Sequence, residues 1–181
     1  MIRLGSNSPT RALILKSFGI NFVQNGGDFD EDSITTTNPK SFCYEATKGK
    51  FDELYKKYGV DDMPLLVADS VVTCEGKLLR KAKDLADAKA MLELQSENKT
   101  SVITCMIYKS KEKELIDISI TTYEFASFDK KHMQEYLDSG ECFGKAGAIM
   151  VEGFCKPYIK NVIGYESTAM GLCVEKLKYY L

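Results

Sequence analysis

The sequence predicts an α/β fold built on a mixed sheet, and three observations predict it. Helical stretches with clear caps alternate irregularly with strand-like ones. Leu65-Leu66-Val67-Ala68-Asp69-Ser70-Val71-Val72 is an apolar run broken by one acid and one hydroxyl, the pattern of a strand buried on both faces. Thr100 to Tyr108 and Leu115 to Phe125 alternate like the arms of a long antiparallel hairpin around Lys111-Glu112. A doubly buried strand goes with crossover connections and a hairpin with direct ones, so one sheet must hold both kinds of pairing.

The elements follow in order. Ile2-Arg3-Leu4-Gly5 opens as a short strand, and Ser6-Asn7-Ser8-Pro9 is a tight polar turn. A helix then runs from about Pro9 to Phe18: Ser8 is a natural N-cap, proline suits the first helical position, and Leu13, Ile14 and Leu15 supply a buried face. Gly19 ends it. Asn38-Pro39 starts a second helix reaching Tyr58-Gly59, with Phe42, Ala46 and Leu54 inward and its lysines outward. After the Leu65–Val72 strand, Glu75-Gly76 turns the chain, Lys77-Leu78-Leu79 pairs back, and Asp84 caps a helix to about Leu94. Asp129 caps another to Leu137, with Ser139-Gly140 as its stop. Gly144-Lys145-Ala146-Gly147 and Val151-Glu152-Gly153 form a glycine-rich section with little helical pattern. Tyr158 to Ile163 is the last strand, and Thr168 to Leu181 closes the chain as a helix.

A chain of 181 residues has the length of one domain, 1–181, and 44% apolar residues suffice for its own core. The formal net charge of −2 lacks the broad positive field of a non-specific nucleic-acid binder, so no nucleic-acid partner is expected. His132 is the single histidine and there is no tryptophan. Zinc sites built on two or three histidines are excluded within one chain, and any histidine-based triad must use His132, which reads as a surface residue among Lys130, Lys131 and Gln134. Cys43, Cys74, Cys105, Cys142, Cys155 and Cys173 contain no C-x-x-C pair and read as reduced thiols acting as small apolar residues. No run reaches the length of a membrane span, and the N-terminus is too polar for a signal peptide, so a cytoplasmic protein without a membrane partner is expected.

Chemistry has few places to sit. Ser6-Asn7-Ser8-Pro9-Thr10-Arg11 joins a strand, a polar turn and a helix start; its free amides, helix dipole and Arg11 suit an anion, although a capped helix with a surface arginine fits the same residues. There is no Walker-type G-x-x-x-x-G-K-[ST] loop. Asp69 is an acid inside an apolar strand, where a carboxylate needs a partner, a proton or a metal. Capping a neighbouring amide is the plain alternative. Lys50, Lys81 and Lys145 each fit solvated charges as well as ligands. Glu31 lies in the acidic run Asp28-Phe29-Asp30-Glu31-Asp32, a solvated loop by default that could also hold Mg²⁺, which prefers oxygen ligands.

Four segments together resemble the Maf (septum formation protein) family of nucleoside triphosphate pyrophosphatases. They are Ser6-x-Ser8-Pro9-Thr10-Arg11 with Ala12-Leu13-Ile14-Leu15; Ala68-Asp69-Ser70-Val71-Val72 with Gly76 and Lys81; Ser139-Gly140-Glu141 leading to Lys145-Ala146-Gly147 and Glu152-Gly153; and Ile163-Gly164 leading to Gly171-Leu172. The resemblance implies an elongated, twisted mixed sheet flanked by helices, similar to inosine triphosphatases, with two lobes around a nucleotide cleft. It implies hydrolysis of the α–β phosphoanhydride to a nucleoside monophosphate and pyrophosphate, with Mg²⁺ or Mn²⁺ and a link to cell-division arrest. Asp69 would be the catalytic carboxylate and, with Glu31, a metal ligand. Ser8, Arg11, Lys50 and Lys81 would surround the phosphates. Thr10, Ser70 and Glu152 would bear on base choice, modified bases included.

The chain departs from the family at Thr10, where arginine or tryptophan is usual, and at Ser70, where threonine or glutamine is usual. It departs again at Ala82, Gly144 and the proline-free Gly171-Leu172-Cys173. These changes bear on substrate choice more than on reaction type. A second function stays open, a nucleotide-binding regulator of septum formation with little or no turnover. A homodimer is among the assemblies the resemblance admits.

Overall fold

The computed structural model describes Met1–Leu181 in full. It is a mixed α/β structure with a seven-stranded sheet in the order β2-β1-β3-β5-β6-β7, and β4 pairs with β3. The strands are β1 (Ile2–Leu4), β2 (Phe22–Gln24), β3 (Leu65–Cys74), β4 (Lys77–Leu79), β5 (Lys99–Lys109), β6 (Glu114–Phe125) and β7 (Ile159–Ile163). The helices are α1 (Pro9–Ser17), α2 (Pro39–Tyr58), α3 (Leu85–Gln95), α4 (Lys130–Ser139), α5 (Glu166–Ala169) and α6 (Val174–Leu177). β1 runs parallel to both β2 and β3, whereas β4 is antiparallel to β3 and β7 to β6. The expectation of a mixed sheet is met. The chain forms two compact units, one of residues 1–70, 103–119 and 165–181, the other of residues 71–102 and 120–164.

In the first unit the alternation of β3 decides which helix meets which residue. Leu66 and Ala68 lie in a core with Ala12, Ile14 and Leu15 of α1 and Val174 and Leu177 of α6. Leu65 and Val67, on the other face, pack with Phe51 and Leu54 of α2. Successive side chains of a strand point to opposite faces, so the next two residues inherit the same division. Asp69 falls on the α2 side and Ser70 on the α1 side.

The second unit is organised around aromatic rings. Phe128 packs against Phe125 and Phe154 with centroids 5.3 and 5.2 Å apart, and Tyr136 stacks on Phe154 at 4.5 Å. Buried Gln95 of α3 donates to the carbonyl of Gly147 at 2.7 Å, and Lys81 forms a bridge with Ala146. The glycine-rich section is therefore fixed by hydrogen bonds rather than by a helix.

Four local expectations are corrected. Leu13 is 60% exposed, because the helical period turns it away while Ala12 and Leu15, three apart, share the buried face. The closing helix is two single turns, α5 and α6, since Gly171 between them has φ of +110°. His132 is half-buried: its Nδ1 is 2.8 Å from the Tyr158 hydroxyl, and its ring stands edge-on to Phe154. Lys50 points inward, unlike the outward lysines expected of its helix. The acidic run also contains a single 3₁₀ turn, Glu31–Ser33, capped by Asp30. The six cysteines are buried and free.

Candidate active site

The polar group of the first unit is assembled from three segments. Asp69 sits in the middle of β3 and is only 8% exposed. Lys50 of α2 reaches it: the ammonium is 2.7 Å from Asp69 Oδ1 and 2.5 Å from Glu31 Oε1. The reason is the helical repeat. Phe42, Ala46, Lys50 and Leu54 are spaced by four, so Lys50 shares the stripe that packs on the sheet.

Glu31 is brought there by Phe29. The Phe29 ring rests on Gly49, where a Cβ would stand 2.2 Å from a ring atom. Glu53 accepts from the Asp28 amide at 3.2 Å and ties down the same loop. Glycine in a helix interior costs roughly 1 kcal/mol relative to alanine, and here it makes room for the ring that positions an acid.

Lys50 responds to both acids. Burial alone would lower its pKa, but Asp69 and then Glu31 outweigh burial and raise it. One ammonium thus bridges two carboxylates. Mg²⁺ is commonly held by one or two carboxylates together with substrate phosphates, so Glu31 and Asp69 fit a cation completed by a phosphorylated ligand. No group of three or more His, Cys, Asp or Glu side chains converges to form an all-protein site. Behind Asp69, the Cys43 thiol lies 3.4 Å from the Asp69 carbonyl oxygen, and burial pushes its pKa up. A thiol held neutral in this way is not a nucleophile.

Arg11 is built differently. Ser8 caps α1, its Oγ accepting from the Arg11 amide at 3.3 Å. The guanidinium donates from Nε to the Gly171 carbonyl at 2.8 Å, from Nη1 to Ser6 Oγ at 3.1 Å and from Nη2 to Ser70 Oγ at 3.3 Å. These acceptors are all neutral. Burial lowers the Arg11 pKa, opposed mainly by the field of Asp69. Gln24 of β2 secures the turn, donating to the carbonyl oxygens of Ser6 at 2.8 Å and Ser8 at 3.2 Å.

The structure therefore brings Asp69, Lys50 and Glu31 together, and places Arg11, Ser8 and Ser70 in one bonded group with half-buried Thr10 in the first turn of α1. Lys81 and Glu152 belong to the second unit, and both are exposed. Lys145 donates to the Glu141 carbonyl at 2.8 Å and serves its own loop. Phe29 with Gly49, and Gln24, carry no sequence signal of a site role beyond the mid-helix glycine itself, and Gly171 stands in the sequence only as part of a matching segment.

The family described as Maf-like protein matches residues 1–181. A nucleoside triphosphate pyrophosphatase of Nitratiruptor sp. is 52% identical over 98% of this chain and 96% of its own length. Proteins of the same name from Helicobacter pylori (strain J99) and Campylobacter jejuni are 40% and 36% identical, covering 96% and 100% of this chain and 91% and 100% of theirs. Among solved structures, the Staphylococcus aureus Ham1 protein superposes with a TM-score of 0.48 at 13% identity, over 69% of this chain and 71% of that one.

Proposed function

This chain belongs to the Maf-like family, and on that premise we propose that it hydrolyses nucleoside triphosphates to nucleoside monophosphate and pyrophosphate. The observation that carries the reading is the buried carboxylate Asp69, joined to Glu31 through Lys50 and followed in the chain by the hydroxyl that holds Arg11. Phosphoanhydride hydrolysis asks a protein mainly to position phosphates and to neutralise developing charge.

Arg11 presents a rigid donor fork at the N-terminus of α1, where the helix dipole also favours anions. Asp69 orients a water or takes its proton, and no histidine is needed. Glu31 and Asp69 would hold Mg²⁺ or Mn²⁺, which supplies charge neutralisation and a more acidic bound water. Lys50 bridges both carboxylates, and Lys81 serves as a further phosphate ligand.

Base choice falls to Thr10 and Glu152. An ionised glutamate only accepts hydrogen bonds, and guanine offers two adjacent donors, its ring N1–H and its amine. Uracil and thymine offer one donor between two carbonyl oxygens, which a carboxylate repels. Glu152 therefore favours guanine-type bases, modified ones included, and Glu152→Gln should narrow that preference. A wild type that prefers UTP or dTTP contradicts this assignment.

No helix is long and apolar enough to cross a membrane. A cytoplasmic site of action and a link to cell-division arrest through nucleotide turnover belong to the same proposal. The test is a panel of normal and modified nucleoside triphosphates with Mg²⁺ or Mn²⁺, assayed for pyrophosphate against orthophosphate. Pyrophosphate and monophosphate in equal amounts are expected. Orthophosphate with diphosphate overturns the reading, and tight nucleotide binding without turnover turns it into the regulator of septum formation.

A further inference from the structure

Thr104 of β5 is fully buried, and its Oγ1 lies 2.7 Å from the Thr168 carbonyl oxygen and 2.8 Å from Ser70 Oγ. A carbonyl can only accept, so the single hydroxyl proton of Thr104 goes to Thr168. Thr104 Oγ1 is then the acceptor in its bond with Ser70, and the Ser70 proton must point at it. What Ser70 has left for Arg11 Nη2, 3.3 Å away, is lone pairs alone. The chain from Arg11 through Ser70 and Thr104 to Thr168 runs in one direction, set by the group that cannot reverse.

The far end of that chain also holds the arginine. Thr168 lies in α5, and Gly171 just beyond it accepts from Arg11 Nε at 2.8 Å. A Cβ at Gly171 would stand 3.2 Å from that nitrogen, and its φ of +110° is one that side-chain-bearing residues rarely adopt. One short segment therefore receives Arg11 twice, once directly and once through two hydroxyls.

We infer that Thr104, acting through Ser70, is a positioning residue for Arg11, and that Ser70 sets the phosphate-facing cation instead of reading the base. The inference rests on the triphosphate reading of Arg11. Thr104 polarises Ser70 so that the guanidinium always meets an acceptor. Without it the Ser70 proton is free to turn, and the fork loses one of its three fixed contacts.

The test measures kcat and KM for several nucleobases in the wild type, S70A, T104V, T104S and the S70A/T104V double variant. S70A and T104V should each lower kcat/KM about tenfold, by the same factor for every base, because the lost hydrogen bond is to a charged group. T104S keeps the hydroxyl and should stay near wild type. The double variant should be no worse than either single one, because the two residues act as one unit.

Independent, multiplying losses overturn the inference, as does a T104S as impaired as T104V. A change in base preference in S70A overturns it too. Where T104V fails to fold, S70A decides alone: equal losses across bases uphold the inference and unequal ones overturn it. A wild type that releases no pyrophosphate removes the hydrolytic reading instead. Titration of inorganic tripolyphosphate then decides: binding about tenfold weaker to T104V than to T104S upholds the inference, and equal binding overturns it.

Discussion

The two faces of β3 each meet a half-buried cation, and the cations are held in opposite ways. On the α2 face, Lys50 stands between Asp69 and Glu31, and its charge is answered by two acids. On the α1 face, Arg11 is held by a carbonyl and two hydroxyls, and its charge is answered only from a distance. Burial dominates the Arg11 balance, whereas the carboxylates win the Lys50 balance. An under-compensated guanidinium at a helix N-terminus is suited to bind an anion. A fully answered ammonium is suited to hold carboxylates ready. On the proposed function, consecutive residues of one strand divide the work, Asp69 towards chemistry and Ser70 towards binding.

Substitutions can break that division, beginning with the largest effect. Asp69→Asn should keep the fold and lower turnover by about 10²-fold or more, the usual scale for losing a general base. Steady-state kinetics near wild type would remove Asp69 from the chemistry. Arg11→Ala should lower kcat/KM by about 10²-fold, in the range for losing a donor to developing charge. Arg11→Lys should recover little of it, since a lysine cannot reach Gly171, Ser6 and Ser70 together. A lysine variant as active as wild type would show that charge alone matters there.

Lys50 links the site to stability. Its folded pKa lies above 10.5, so the stabilisation from its acid partners is complete below pH 10.5 and is lost as pH rises through the higher folded value. Lys50→Met leaves two acids facing each other and should cost about 2 kcal/mol at pH 7, or about 5 °C of Tm. The deficit should shrink as the pH rises above 10.5, where the wild type itself loses that stabilisation. Thermal melts at pH 7 and above pH 10.5 check this, and an equal deficit at both would mean Lys50 acts by packing. The smallest effect belongs to Ser8→Ala, which removes the cap on α1 and should cost about 1 kcal/mol in a denaturant titration. A rise in KM beyond what Arg11 misplacement explains would add Ser8 itself to the phosphate ligands.

Much of this was legible before any fold was known, for reasons that can be named. Asp69 stood out because an acid in an apolar strand needs a partner, and Ser8-Pro9 because few pairs start a helix so plainly. The direction of Lys50 was also in the sequence, since it continues the stripe of Phe42, Ala46 and Leu54, but a lysine's default exposure hid it. Thr104 could not be picked out: a threonine in a strand is an ordinary strand residue, and its role depends on a carbonyl 64 positions away. The break between α5 and α6 was hidden for a related reason. Gly171 looked tolerable inside a helix, and only its contact with Arg11, 160 positions earlier, explains the conformation it takes.

The division between the two faces is tested most directly by titrating a triphosphate analogue with a non-hydrolysable α–β link into the wild type, Asp69→Asn and Arg11→Ala, without added metal. Arg11→Ala should bind about tenfold more weakly or worse, because a charged donor to phosphate is lost. Asp69→Asn should bind as tightly as wild type or more tightly, because it removes a negative charge from the anion's surroundings. An Asp69→Asn protein that binds the analogue as poorly as Arg11→Ala would contradict the account, for binding and chemistry would then not be separable across β3.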